Sequence, residues 1–255
     1  MDFKSVSSNT LFHFTPKLEY LIDILKNDFR PRFCHEILED TLASPPDSWW
    51  NRAIPMTCFC DLTLSNTAQH LNTYGQYGIG MTKEWGKKMG LTPILYIHSN
   101  SPLVECVRTS ITALSHSVIG AHCEDDQEVF LRLSGGLEDL INFVKPYTGS
   151  FDRNGSIIPD VRFYDEREWR YVPTQAEVLS KPEYDRRKAD GLLGYGKAPL
   201  VFEPKDIRYI IVKNESEILT MYDRIAAEKG SKYSYDDVRL LQSRLISATQ
   251  IREDF

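Results

Sequence analysis

The chain has 255 residues, a formal net charge of −6, 42% apolar residues and 26% charged residues. That length buries a sizeable core, and the balance excludes global disorder and a broad electrostatic footprint for nucleic acid. No apolar run reaches the ~18 residues of a membrane helix, the start Met1-Asp2-Phe3-Lys4-Ser5 lacks a secretory pattern, and five scattered cysteines suit a reducing cytosol, so a cytoplasmic location away from membranes is expected.

Leu11 to Thr15 reads as a short strand with His13 between two phenylalanines. Thr15 as N-cap and Pro16 at the first helical position open a helix, with Leu18, Leu21, Ile22 and Leu25 on one face and an end near Asn27. Residues 28–53 read as irregular, with Pro31, Pro45-Pro46 and Trp49-Trp50. Pro55 to Asp61 is a strand. Ser65 caps a short helix through Leu71. Tyr74-Gly75-Gln76-Tyr77-Gly78-Ile79-Gly80 follows, then a short helix capped by Thr82 and closed by Gly90.

Pro93 to His98 reads as a buried strand. Residues 105–145 read as helical with a break at Gly135-Gly136, and 148–162 as loop. Phe163 to Pro173 reads as a strand. Its alternation puts Glu166, Glu168, Arg170 and Val172 on one face and Arg167, Trp169 and Tyr171 on the core face. Residues 174–197 are polar, with the basic run Arg186-Arg187-Lys188. A strand at 207–212 precedes an Asn214/Glu217 capping box, a helix through Ile225, and a last helix from Tyr235 to Ile251. Strands and helices without a βαβ rhythm, and no evident boundary, point to one α+β domain over 1–255, with the helices after about 214 packed on it.

Four groups carry candidate chemistry. Two carboxylates on one strand face, Glu166 and Glu168, can divide roles as base and polariser; a salt-bridge ladder with Arg170 explains them slightly better by periodicity alone. His13 at a strand end before a helix can contact a sugar hydroxyl or phosphate, though such a histidine is more often structural. The Tyr74–Gly80 run offers stacking faces and close backbone approach, against a plain turn; its spacing is not that of a dinucleotide-binding loop. Cys58 and Cys60 with Cys34-His35-Glu36 lack zinc spacing, and no metal is expected.

In order, Leu11–Thr15, Pro55–Asp61, Tyr74–Gly80 and Glu166-Arg167-Glu168-Trp169-Arg170 resemble the AbiGi-type abortive phage-infection family, whose members carry the label antitoxin. The order of a His strand, an aromatic/Gly segment and a Glu-x-Glu strand is also similar to ADP-ribosyltransferases. That resemblance implies split mixed and antiparallel sheets with flanking helices, and a cytoplasmic toxin of a phage-defence toxin–antitoxin system that transfers ADP-ribose from NAD. The acceptor would be nucleic acid, mRNA included, or protein, and an antitoxin protein would be the partner. It implies Glu168 and Glu166 as catalytic residues and His13, Phe14, Thr15, Tyr74, Tyr77 and Gly78 as NAD-binding residues. The Ser-Thr-Ser form of many toxin transferases is missing, which leaves open whether Tyr74 or Tyr77 stacks on nicotinamide. The alternatives are a non-enzymatic antitoxin or interaction module, and an NAD glycohydrolase.

Overall fold

A computed structural model describes residues 8–38, 51–120, 124–153 and 156–254. Its centre is a mixed sheet. Strand β1 (Thr10–Thr15) lies between β4 (Tyr77–Thr82) and β3 (Asn51–Cys60). Beyond β4 come β12 (Ile207–Val212) and, parallel to it, β13 (Leu245–Ser247). Beyond β3 comes β10 (Glu168–Tyr171), then the two-residue β5 (Thr92–Pro93). The amino half of β3 instead pairs with β2 (Arg32–Ile37) and β11 (Leu179–Ser180). The expected α+β class is thus present as a mixed sheet with flanking helices.

Strand alternation sorts the core into two faces. Leu11, Ile79, Met81, Ile210 and Val212 face α1 (Leu18–Asn27), α3 (Lys83–Lys88), α7 (Ile218–Lys229) and α8 (Tyr235–Gln242). Phe12 and Ile211 face the other way, onto α2 (Ala68–Thr73) and α9 (Ala248–Asp254). A smaller cluster joins Leu38, Ile97, Val104, Ile141 and Val144. It ties β6 (Leu95–Ile97) and β7 (Val144–Pro146) to the helices α4 (Pro102–Gly120) and α5 (Glu124–Ile141). A separate hairpin consists of β8 (Gly149–Arg153) and β9 (Ser156–Val161).

Several expectations need correction. The first helix starts at Leu18 with Lys17 as N-cap, not at Pro16 behind Thr15. Within 28–53, read as irregular, Arg32–Ile37 forms a full strand because β3 offers it an edge; Pro45-Pro46 and Trp49-Trp50 lie outside the described residues. Ser65 sits in a 3₁₀ turn, and Thr67 precedes α2. The expected strand over 93–98 divides between two sheets. Gly135 and Gly136 lie inside α5 rather than at a break, and much of 148–162 is hairpin, not loop. The Asn214/Glu217 capping box does not form: Glu217 instead accepts from Lys213 N and the Tyr77 hydroxyl. The last helix is split by β13, which finds a parallel partner in β12.

The acidic strand is also shorter than its alternation suggests. Phe163–Glu166 is a 3₁₀ turn, and Arg167 has a left-handed backbone (φ 48°), so the strand starts at Glu168. Glu166 therefore does not share a strand face with Glu168. From Glu168 onward the alternation holds: Trp169 and Tyr171 pack on the main cluster, while Glu168 and Arg170 point to the opposite face and are the more deeply buried pair.

Candidate functional site

The ladder between β1 and β3 is a single pair, Phe12 with Cys60, after which the strands fork. His13 fills the fork. Its Nδ1–H donates to the Cys58 carbonyl at 2.8 Å, which leaves Nε2 as a bare acceptor. Burial pulls its pKa below the usual histidine value, so the ring is neutral near pH 7. Its edge packs between Phe29 and Phe59.

Beside the fork lies a cavity of about 300 Å³, lined by His13, Phe14, Glu36, Cys58, Cys60, His70, Tyr74, Lys145, Phe151, Glu166 and Glu168. The two carboxylates reach it by different routes. Glu168 arrives on β10 opposite Cys60, and Glu166 from the 3₁₀ turn before it. They converge on Lys145 of β7, whose Nζ lies 2.7 Å from Glu166 and 2.9 Å from Glu168. Arg170 completes the cluster. Its Nε donates to Glu168 at 2.8 Å, one Nη to the Asn142 carbonyl at 2.7 Å, and the other Nη lies 3.3 Å from Glu36. The Tyr74 hydroxyl donates to Glu166.

Three carboxylates, Glu36, Glu166 and Glu168, and two cations, Lys145 and Arg170, thus form one network with Glu168 and Arg170 at its buried centre and a single surplus formal negative charge. Burial opposes the charges on Glu168, Lys145 and Arg170, but the partners win. Arg170 and Lys145 hold the Glu168 carboxyl well below the usual carboxylate range. For Lys145, burial is outweighed by Glu168, Glu166 and Glu36, and its pKa rises. Burial, reinforced by Glu166, keeps the Tyr74 phenol protonated. Burial also pushes the Cys34 thiol up to about 12, so it is no thiolate nucleophile.

The structure brings together His13, Phe14, Tyr74, Glu166 and Glu168 of the expected site. It leaves out three others. Thr15 lines a neighbouring cavity of about 460 Å³, which shares His13, Cys34, Met56 and Cys58 as a common wall. Tyr77 joins the main core, with its hydroxyl on Glu217 at 2.9 Å. Gly78 is covered by the Phe14 ring, which a Cβ there would meet at 2.8 Å. Of the two tyrosines, Tyr74 lines this cavity and Tyr77 does not, because the Tyr77–Thr82 segment is a central strand rather than a ligand loop. In the basic run, which lies on α6 (Lys181–Ala189), Arg186 and Arg187 pair with Glu183, and Arg187 also with Glu177. Sequence reasoning missed Lys145, His70 and Phe151. The only signal for Lys145 was one charge between Val144 and Pro146, at the end of a stretch read as helical.

A family model described as "Putative abortive phage resistance protein AbiGi, antitoxin" matches residues 27–213. The chain belongs to the AbiGi family. The "Abortive phage resistance protein AbiGi" of Lactococcus lactis subsp. cremoris is 28% identical to it over 259 residues, covering 89% of this chain and 99% of that relative. No solved structure matches the chain. The span matched by the AbiGi model contains Glu36, Tyr74, Lys145, Glu166, Glu168 and Arg170, but not His13, Phe14 or Thr15. The AbiGi resemblance read from the sequence is thereby established, and none of these comparisons points to ADP-ribosyl transfer.

Proposed function

We propose that this AbiGi-family chain acts in abortive phage resistance as the antitoxin of its system, holding a toxin protein rather than turning over NAD. The observation that carries this reading is that Glu166 and Glu168 are both already satisfied: each accepts from Lys145, and Tyr74 and Arg170 take further lone pairs. Both are members of an ion network that fastens β10, and the turn before it, to β7. The family's own description as an antitoxin agrees with this.

A second reading, an NAD-dependent ADP-ribosyltransferase or NAD glycohydrolase, has one observation in its favour. His13, Tyr74 and Glu168 come from three separate elements and meet at one cavity, beside a fork between strands that would serve as the split of a transferase-like sheet. The residues fit NAD in part. Neutral His13 offers an acceptor to a sugar hydroxyl, and Phe14, Tyr74 and Phe151 offer ring faces. Glu168 would hold the ribose 2′-hydroxyl and stabilise charge developing on the ribose. The fit is poor at the pyrophosphate, because Lys145, the one cation lining the cavity among the described residues, is shared by two carboxylates.

Inducible expression of the chain alone, with labelled NAD added to the extract, separates the readings. The antitoxin reading expects normal growth and no consumption of NAD. Label on RNA, DNA or protein that disappears in Glu168→Gln would establish the transferase, and free ADP-ribose the glycohydrolase.

A further inference from the structure

Among the described residues, nothing covers one face of the helix α5. Val129, Leu133 and Leu140 are 56%, 58% and 53% exposed. With Gly136 they follow spacings of 4, 3 and 4 residues, the repeat of a helix–helix seam. Gly136 is itself exposed, and a Cβ built on it meets nothing within 4 Å. The seam is about 16 Å long at 1.5 Å per residue. Its inner border is Leu137, which packs toward the small cluster with Ile141. On the open border lie Glu128, Arg132 and Asp139, all exposed.

Charge narrows the occupant. Residues 102–141 contain seven carboxylates and two arginines, a net −5 out of −6 for the chain. A second copy would bring the same acidic helices face to face. An anionic membrane or a nucleic acid would be repelled as well. What complements the surface is an apolar ridge flanked by basic side chains.

We propose that the Val129-Leu133-Gly136-Leu140 face of α5 is a docking site for an amphipathic, lysine- or arginine-flanked helix of a partner protein. The glycine lets the partner backbone come close at mid-seam, and Glu128 and Asp139, at the two ends of the border with Arg132 between them, set orientation while the net negative charge of the helix pair speeds encounter. Identifying that partner as the toxin rests on the antitoxin reading; the existence of the surface does not.

The test uses the full chain and a synthetic amphipathic helix of about three heptads, with Leu at the seam positions and Lys beside them. Fluorescence anisotropy should show binding that weakens with salt, weakens by about tenfold or more in Leu133→Glu and in Gly136→Arg, and is missing for the same peptide with Glu in place of Lys. Both substitutions are at exposed positions, and thermal melts verify that the variants fold. No binding to the wild type, equal binding of the two peptides, or equal binding by both variants would overturn the proposal. Sedimentation showing a wild-type dimer lost in Leu133→Glu would give the face to a second copy, and vesicle binding lost in the same variant would give it to a membrane; either outcome also overturns it. A failure here leaves the growth and NAD assays intact, so the two ideas fall separately.

Discussion

Arg170→Met is the sharpest probe of the buried network. Arg170 is fully buried and holds Glu168 at 2.8 Å, the Asn142 carbonyl at 2.7 Å and Glu36 at 3.3 Å. Methionine keeps much of the volume but removes every donor. Breaking a buried ion pair from one side costs about 3–5 kcal/mol, because the stranded carboxylate stays buried. Lys145 remains on Glu168, which softens the loss, while the orphaned carbonyl adds about 1–3 kcal/mol. These contributions are coupled, so a net loss of about 4 kcal/mol is expected rather than their sum. That is a large part of a typical total of about 5–15 kcal/mol, and lowers Tm by about 8–16 °C. Urea unfolding followed by tryptophan fluorescence measures it, with an unchanged m-value as the control.

The pH dependence fixes the cause. In the wild type, Glu168 has a depressed pKa, so its stabilisation is present above the unfolded carboxylate value and is lost on acidification through the folded one. In the variant, burial dominates and the pKa rises, so protonation relieves the penalty. The gap between the two proteins should therefore narrow as pH falls from about 7 towards about 4.5. A loss below about 1 kcal/mol, the level of an exposed ion pair, or a gap independent of pH, would refute the buried-network account.

Glu168→Gln should also cost about 3 kcal/mol, since one amide cannot satisfy both Arg170 and Lys145; a variant as stable as wild type would show that the pairing is not structural. Gly75→Ala should destabilise by about 2–4 kcal/mol, because Gly75 has φ +133° and a Cβ there runs into the Thr15 carbonyl and Pro16 Cα; an unchanged chemical midpoint counts against this turn. His13 and His70 both have pKa values lowered by burial, so their contribution is present above about 6.5 and is lost as pH falls through the lowered values; His70→Phe should flatten the decline in Tm between pH 7 and 5, and an unaltered slope would exclude His70 as its source.

Local pattern was enough for β1, β12, the Thr82-capped α3 and the Glu168/Trp169/Arg170/Tyr171 alternation, because each is short-range chemistry: a strand period of two, or a hydroxyl on a helix N–H. The failures share a cause of the opposite kind. β2 and β13 exist because a partner strand distant in sequence offers an edge, and nothing in Arg32–Ile37 or Leu245–Ser247 announces that edge. Glu166 left the strand because Arg167 adopts a left-handed backbone that no residue-type preference predicts. Tyr77 and Gly78 left the site because their segment became a central strand, where Gly78 serves to accommodate Phe14. Lys145 is the largest omission. It decides the electrostatics of the site from a three-residue strand whose partner among the described residues is β6.

That lysine also bears on whether the cavity can support bond cleavage at a ribose. A developing positive charge is stabilised by a nearby anion roughly in proportion to the uncompensated charge, about 4 kcal/mol per unit charge at 4 Å with an effective dielectric of 20. Glu168 brings one negative charge, but Lys145 and Arg170 both lie within 3 Å of it and each would repel the same transition state. Only the surplus of the five-group network, one negative charge spread over Glu36, Glu166 and Glu168, remains to attract it. For catalysis the network would have to open, and Lys145 is the group to move, since Arg170 is also fastened to Asn142 and Glu36. Lys145→Met therefore separates the two readings by sign. If the cavity cleaves NAD, removing the competing cation leaves turnover intact or raises it while stability falls. If the network is structural, stability falls by about 3 kcal/mol and NAD consumption stays at background.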